Sequence, residues 1–158
     1  MAEKKRQKKY LFLIALVLIA AVTLSGVFIL SLKDNGKVRL DAEYYGTSDE
    51  VVINKEEYEQ MLKQKKSFIV TSAATACSSD ILDFVEEFSK TEDVTYFYLG
   101  WSDFSDSSTG GEIKYPPTVF IVSNGKIRAY LDSDSGDDVE EYNNYDDFAA
   151  WMKENIEF

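Results

Sequence analysis

Cys77 is the only cysteine in 158 residues, and the chain has no histidine. A thiol can attack a disulfide, ligate a soft metal or join a second molecule, and its reactivity follows its thiolate fraction. With one thiol and no imidazole, zinc and copper sites of the usual ligand sets are excluded, as are Ser-His-Asp and Cys-His catalysis. No metal and no cofactor are expected. What remains for Cys77 is disulfide exchange with an outside partner or the role of a small, inert side chain. Asp80 lies three residues on, within one turn, so two fields compete at the sulfur. The amino end of a following helix favours thiolate, and the carboxylate opposes it. A second polar cluster, residues 132–138, has the look of a calcium loop. It lacks the third oxygen ligand and carries Gly136 one place early for the helix-loop-helix pattern, so it reads as a solvated acidic turn.

The elements around Cys77 follow from periodicity. Phe68, Ile69 and Val70 form an unbroken β-rich run that suits a strand covered on both faces. From Asp80 the period becomes helical, with Ile81, Leu82, Phe84, Val85 and Phe88 on one face. Cys77 therefore falls at a strand-to-helix junction on the carboxyl edge of a sheet, where open α/β folds place their crevices. Upstream, Val51, Val52 and Ile53 form a short strand, and Asn54 with Glu57 has the spacing of a reciprocal helix cap. A helix to about Gln64 would bury Tyr58, Met61 and Leu62. Downstream, residues 94–99 form a third strand, and residues 100–114 have loop composition. Trp101, Phe104 and Tyr115 flank that loop; they either form an exposed patch or, as is commoner, cover a core.

Tyr115-Pro116-Pro117-Thr118 opens directly into Val119, Phe120, Ile121 and Val122. Proline lacks the amide needed inside a sheet, so the pair marks the start of the strand, and X-Pro bonds are where cis peptides occur. Asn124-Gly125 is a two-residue hairpin turn that returns through Ile127, Ala129 and Leu131. The spacing of Tyr145, Phe148, Ala149, Met152 and Ile156 predicts a last helix from Tyr145 to about Asn155. Asn144 can cap it, and Asp146 and Asp147 suit its first turn.

Residues 11–32 hold 22 residues without a charge, enough at helical rise to span a hydrocarbon core. A cleavable signal peptide has a shorter apolar region, so residues 10–32 are read as an uncleaved transmembrane signal anchor that contacts membrane lipid. Lys4, Lys5, Arg6, Lys8 and Lys9 precede it, which keeps residues 1–9 as a basic cytoplasmic tail and places the rest outside, in a single-pass cell-membrane protein. Residues 33–50 read as a linker, with one optional edge strand through Val38, Leu40 and Tyr44-Tyr45. The net charge is −11 overall and +4 on residues 1–9, so the sequence beyond the apolar run carries −15. That charge repels nucleic acid, which is excluded as a partner. Solubility outside the cell explains the acidity better than an acidic ligand-binding face does.

Residues 51–158, about two thirds of the chain, resemble a thioredoxin-like domain. The Phe68-to-Asp80 stretch is similar to that family's strand, active-site loop and helix. Pro117-Thr118 before an apolar strand resembles its cis-proline loop, and the hairpin with a terminal helix completes the order. The layout is most similar to membrane-anchored extracytoplasmic bacterial members, including bacteriocin transport accessory proteins. The resemblance implies an α/β fold, a central mixed sheet flanked by helices, after a single N-terminal transmembrane helix.

The departures from the family pattern bear on function. Where the family carries W-C-x-x-C, this chain reads Ala76-Cys77-Ser78-Ser79-Asp80. Cys77 matches the attacking cysteine, Asp80 stands at the resolving position and Ala76 replaces the tryptophan. The buried acid that redox-active members carry six residues before the attacking cysteine is Thr71 here. The residue before the cis-proline, whose backbone pairs with a bound substrate strand in such relatives, is Pro116, which has no amide to donate.

Without a second thiol, a mixed disulfide at Cys77 has no release from within the domain. The leading expectation is a degenerate, non-enzymatic module that binds or assists an envelope or secreted protein. The alternative is a monothiol oxidoreductase, with Cys77 attacking and an external thiol resolving. A weaker third reading is an acidic ion-binding or adhesion domain in which the thiol has no role.

Overall fold

The computed structural model describes residues 36–74 and 80–158. The expected cytoplasmic tail at 1–9, the expected anchor at 10–32 and Cys77 lie outside the described residues. Among the described residues no helix is long and apolar enough to cross a membrane. Among the described residues a 3-10 turn at Ala42–Tyr44 is followed by β1 Glu50–Ile53, α1 Lys55–Lys63, β2 Phe68–Ala73, α2 Asp80–Glu92, β3 Tyr96–Gly100, α3 Trp101–Ser105, β4 Thr118–Ser123, β5 Lys126–Tyr130, α4 Val139–Asn143 and α5 Tyr145–Asn155.

The five strands form one mixed sheet in the order β1-β3-β2-β4-β5. β3 runs parallel to both β1 and β2, whereas β4 is antiparallel to β2 and β5. β2 lies at the centre and is buried along its whole length, as its unbroken apolar run requires. Alternation sends its side chains into two cores. Ile69 joins Val119 and Ile121 under Ile81, Val85 and Phe88 of α2 and Phe148 and Met152 of α5. Phe68 and Val70 join Phe97, Leu99, Phe120 and Val122 under Tyr58 of α1 and Phe104 of α3. Tyr58 meets Phe68, Phe104 and Phe120 at ring-centroid distances of 6.1, 6.4 and 6.2 Å. Edge contacts of this kind add roughly 0.5–1.5 kcal/mol each beyond the area buried.

Local signals act where the residue types place them. Asn54 Oδ1 accepts from the Glu57 amide at 3.0 Å, and Glu57 Oε2 accepts from the Asn54 amide at 3.0 Å. The two orphan donors at the start of α1 are thus satisfied reciprocally, a cap of about 1 kcal/mol. Asn144 Oδ1 accepts from the Asp146 amide and starts α5 in the same way.

The structure departs from the sequence expectations in several places. The compact unit begins at Lys37, so most of the expected linker is packed on the domain. Val38 and Leu40 are 4% and 3% exposed, and Val38 makes an isolated parallel bridge to Ile156 without becoming a strand. Their alternate apolar spacing lets both enter the core under α5. Lys66 Nζ fastens this arm, 3.1 Å from Asp41 and 2.6 Å from Glu43.

The expected loop at 100–114 begins with α3, which buries Phe104, half-buries Trp101 and leaves Tyr115 exposed. The third strand starts at Tyr96, because Val94 makes only a bridge to Tyr45. α2 runs three residues past its expected end at Ser89, and α4 had no counterpart in the sequence reading. Met61 and Leu62 are half-buried rather than buried. Val51 and Val52 are exposed, because β1 is an edge strand.

Candidate functional site

β2 ends at Ala73, and Asp80 is the first residue of α2. Residues 75–79, Cys77 among them, lie outside the described residues. The site is therefore defined by what surrounds that junction. The carboxylate of Asp80 is exposed, as suits an acid in the first turn of a helix, where the dipole favours negative charge.

The third expected residue, Pro117, stands immediately before β4, half-buried, and the Pro116–Pro117 peptide bond is cis. Sheet register brings it to the junction. Ser72 pairs with Thr118, so one step further along the antiparallel ladder Ala73 stands beside Pro117. The sheet thus sets the cis bond next to the end of β2, from which the Cys77 segment departs. Sequence separation hides this neighbourhood, because more than 40 residues lie between Ala73 and Pro117.

Hydrogen bonds to carbonyls hold the cis-proline segment. The Tyr142 hydroxyl is shared between the carbonyl oxygens of Pro117 at 2.7 Å and Leu131 at 3.1 Å. Thr118 Oγ1 donates to the same Leu131 carbonyl at 2.8 Å. Burial raises the Tyr142 phenol well above the ordinary tyrosine value, and the nearby carboxylates of Asp138 and Asp132 push the same way. Tyr142 therefore stays a protonated donor throughout the working pH range. It comes from α4, a five-residue helix in an acidic stretch. Sequence reasoning missed it, since a lone aromatic among Glu140, Glu141, Asn143 and Asn144 shows no period.

Thr71, at the position where the resemblance places a buried acid, is buried, and its hydroxyl makes one long contact of 3.5 Å to the Thr118 carbonyl. Thr71 offers no titratable proton near neutral pH, so it cannot serve as an acid–base group for a neighbouring thiol. Ser72, on the other face of β2, is fully buried, and its Oγ has no hydrogen-bond partner.

The acidic turn at 132–138 uses its oxygens on its own backbone. Asp138 Oδ2 accepts from the Asp132 amide at 2.7 Å, Asp132 Oδ1 from the Asp134 amide at 3.0 Å, and Ser135 Oγ from the Asp137 amide at 3.2 Å. These are side-chain-to-backbone turn contacts, the usual employment of Asp and Ser in loops. Among the described residues no group of His, Cys, Asp or Glu is arranged to hold a metal ion.

No protein-family model matches this chain, and no curated protein matches it. Solved structures do. The reduced thioredoxin pre-protein of Schistosoma mansoni is 17% identical, with a TM-score of 0.51 over 68% of this chain and 99% of that one. The long form of thioredoxin f from spinach chloroplast is 13% identical, with a TM-score of 0.50 over 68% and 87%. Thioredoxin NaTrxh of Nicotiana alata is 15% identical, with a TM-score of 0.50 over 70% and 96%. At such identities the likeness is one of architecture, and it agrees with the strand order and helix placement above: the described domain has the thioredoxin fold.

Proposed function

We propose that this chain is a membrane-anchored, extracytoplasmic thioredoxin-like module. In this reading it binds or assists an envelope protein and does not turn over disulfides. The observation that carries the proposal is the sulfur count. The chain holds one cysteine, and the residue three places on, at the first position of α2, is Asp80. If the Cys77 thiolate attacks a client disulfide, one client sulfur joins Cys77 and the other leaves as a thiolate. Release of the joined sulfur then needs a second thiol, and an aspartate cannot supply one. Thr71 in place of an acid removes a further part of the machinery. The uncharged run at 11–32 with its basic flank supports the anchor and its orientation, and the resemblance to bacteriocin transport accessory proteins supports an accessory role.

The test is insulin reduction by the full chain in detergent micelles, with a thioredoxin reductase system as the electron source. No catalytic reduction is expected, and steady turnover without any added thiol protein would overturn the proposal. Rapid alkylation of Cys77 near neutral pH, with disulfide-linked species lost in Cys77→Ser, would replace it with the monothiol reading.

A further inference from the structure

β1 is a free edge of the sheet, and one side of it opens on a cleft. Register places Glu50 beside Tyr96, Val52 beside Tyr98, and Tyr98 beside Thr71. These side chains share one face of the sheet, and with Leu82 of α2 they line a cleft of about 220 Å³. Ligand pockets for whole small molecules run from ~300 to ~1,000 Å³, so this one matches a single side chain of a larger partner. Its walls are mainly apolar. At its rim the Glu50 carboxylate accepts from the Tyr96 hydroxyl at 2.5 Å, which leaves further acceptor capacity on the carboxylate. Glu50 has no cationic partner among the described residues. Glu86 of α2, whose charge also acts on Tyr96, is likewise negative and is paired with Lys90. No described strand pairs with the outer edge of β1, and Val52 is 69% and Val51 37% exposed.

We propose that β1 and its cleft dock an extended basic segment of a partner protein, with one lysine or arginine side chain entering toward Glu50. A strand added to an open edge gains main-chain hydrogen bonds, and a pocket for alternate side chains supplies selectivity. The aliphatic stem of the basic side chain lies against Val52 and Leu82, and its head meets Glu50 beside the tyrosine rings, an environment that favours a cation. The charge of −15 on residues 33–158 steers a basic partner toward the domain. This inference deepens the reading of the domain as a binding module and rests on it.

The test uses the full chain in detergent micelles, carbon-13 labelled on valine and leucine methyl groups. It is titrated with a blocked heptapeptide, Thr-Val-Thr-Lys-Thr-Val-Thr, and with its norleucine counterpart at the central position. The lysine peptide is expected to shift the Val52 and Leu82 methyl signals saturably. Loss of one charge-assisted contact should weaken binding about tenfold, both for the norleucine peptide and for Glu50→Gln. Equal binding of the two peptides, indifference to Glu50→Gln, or no shifts at all would overturn the proposal. So would shifts that grow with protein concentration alone, which would assign the edge to a second copy. Insulin turnover by the same preparation with peptide binding intact would remove the module reading and leave the docking site standing.

Discussion

The Tyr142 hydroxyl lies 2.7 Å from the carbonyl oxygen of Pro117. Through this contact the short helix α4 holds the segment that stands beside the Cys77 junction, and the same hydroxyl reaches Leu131 where the chain leaves β5. Tyr142→Phe keeps the ring and removes the donor. It should cost about 1 kcal/mol, because the half-buried Pro117 carbonyl loses its donor while Leu131 keeps the one from Thr118. Chemical denaturation measures the loss. Faster amide exchange confined to residues around Pro117 and Leu131 would place the effect where the geometry puts it.

Glu59 clasps the polar loop after α3. Its carboxylate accepts from the Ser108 amide at 2.5 Å and from the Ser108 hydroxyl at 3.0 Å. The backbone hydrogen bond, chiefly, holds its pKa below the usual glutamate value. A carboxylate whose folded pKa is depressed contributes stability that is fully present above its unfolded pKa. That contribution is lost as pH falls through the folded value. Melting temperature should therefore decline on acidification through the carboxylate range, and Glu59→Gln should flatten part of that decline. Identical pH profiles for the two proteins would remove Glu59 from the account.

Gly125 is constrained twice. Its φ is +74°, as its place in the Asn-Gly turn demands, and a Cβ there would sit 2.2 Å from the Leu62 carbonyl oxygen at the end of α1. The turn amide also donates to Lys66 O at 2.9 Å. Gly125→Ala should destabilise the domain by about 2 kcal/mol or more, since both the backbone and the packing resist. A wild-type urea midpoint in this variant would contradict the close approach.

Ser72 presents the opposite case. Its hydroxyl is buried and has no hydrogen-bond partner. Ser72→Ala removes an unsatisfied polar atom and should raise stability by about 1 kcal/mol, read as a higher urea midpoint at an unchanged slope. Destabilisation of similar size would show that the hydroxyl is employed.

Much of the fold was legible from short-range pattern. The Asn54–Glu57 cap, the Asn144 cap, the Asn124-Gly125 turn and the unbroken run of β2 depend on residues only a few positions apart, and they form as residue chemistry dictates. The arm at 38–40 was not legible. Val38 and Leu40 are two apolar residues among charged ones, and only the groove beside Ile156 makes a packed segment of what composition reads as spacer. α3 and α4 were missed because five residues are too few to display a helical period.

By itself, the chain's composition limited the chemistry: with one thiol, no imidazole and Asp80 three residues on, these 158 residues cannot close a disulfide among themselves, whatever the fold. The tertiary structure decided which residues stand together. The pairing of Ser72 with Thr118 sets Ala73 beside Pro117, α4 delivers Tyr142 to the Pro117 carbonyl, and the β1–β3–β2 register builds a cleft from Glu50, Val52, Tyr98 and Thr71. The physical reason is range. Capping and turn chemistry act over three or four residues, whereas strand order and register are set by burying two faces of a sheet at once, and no local pattern encodes that sum.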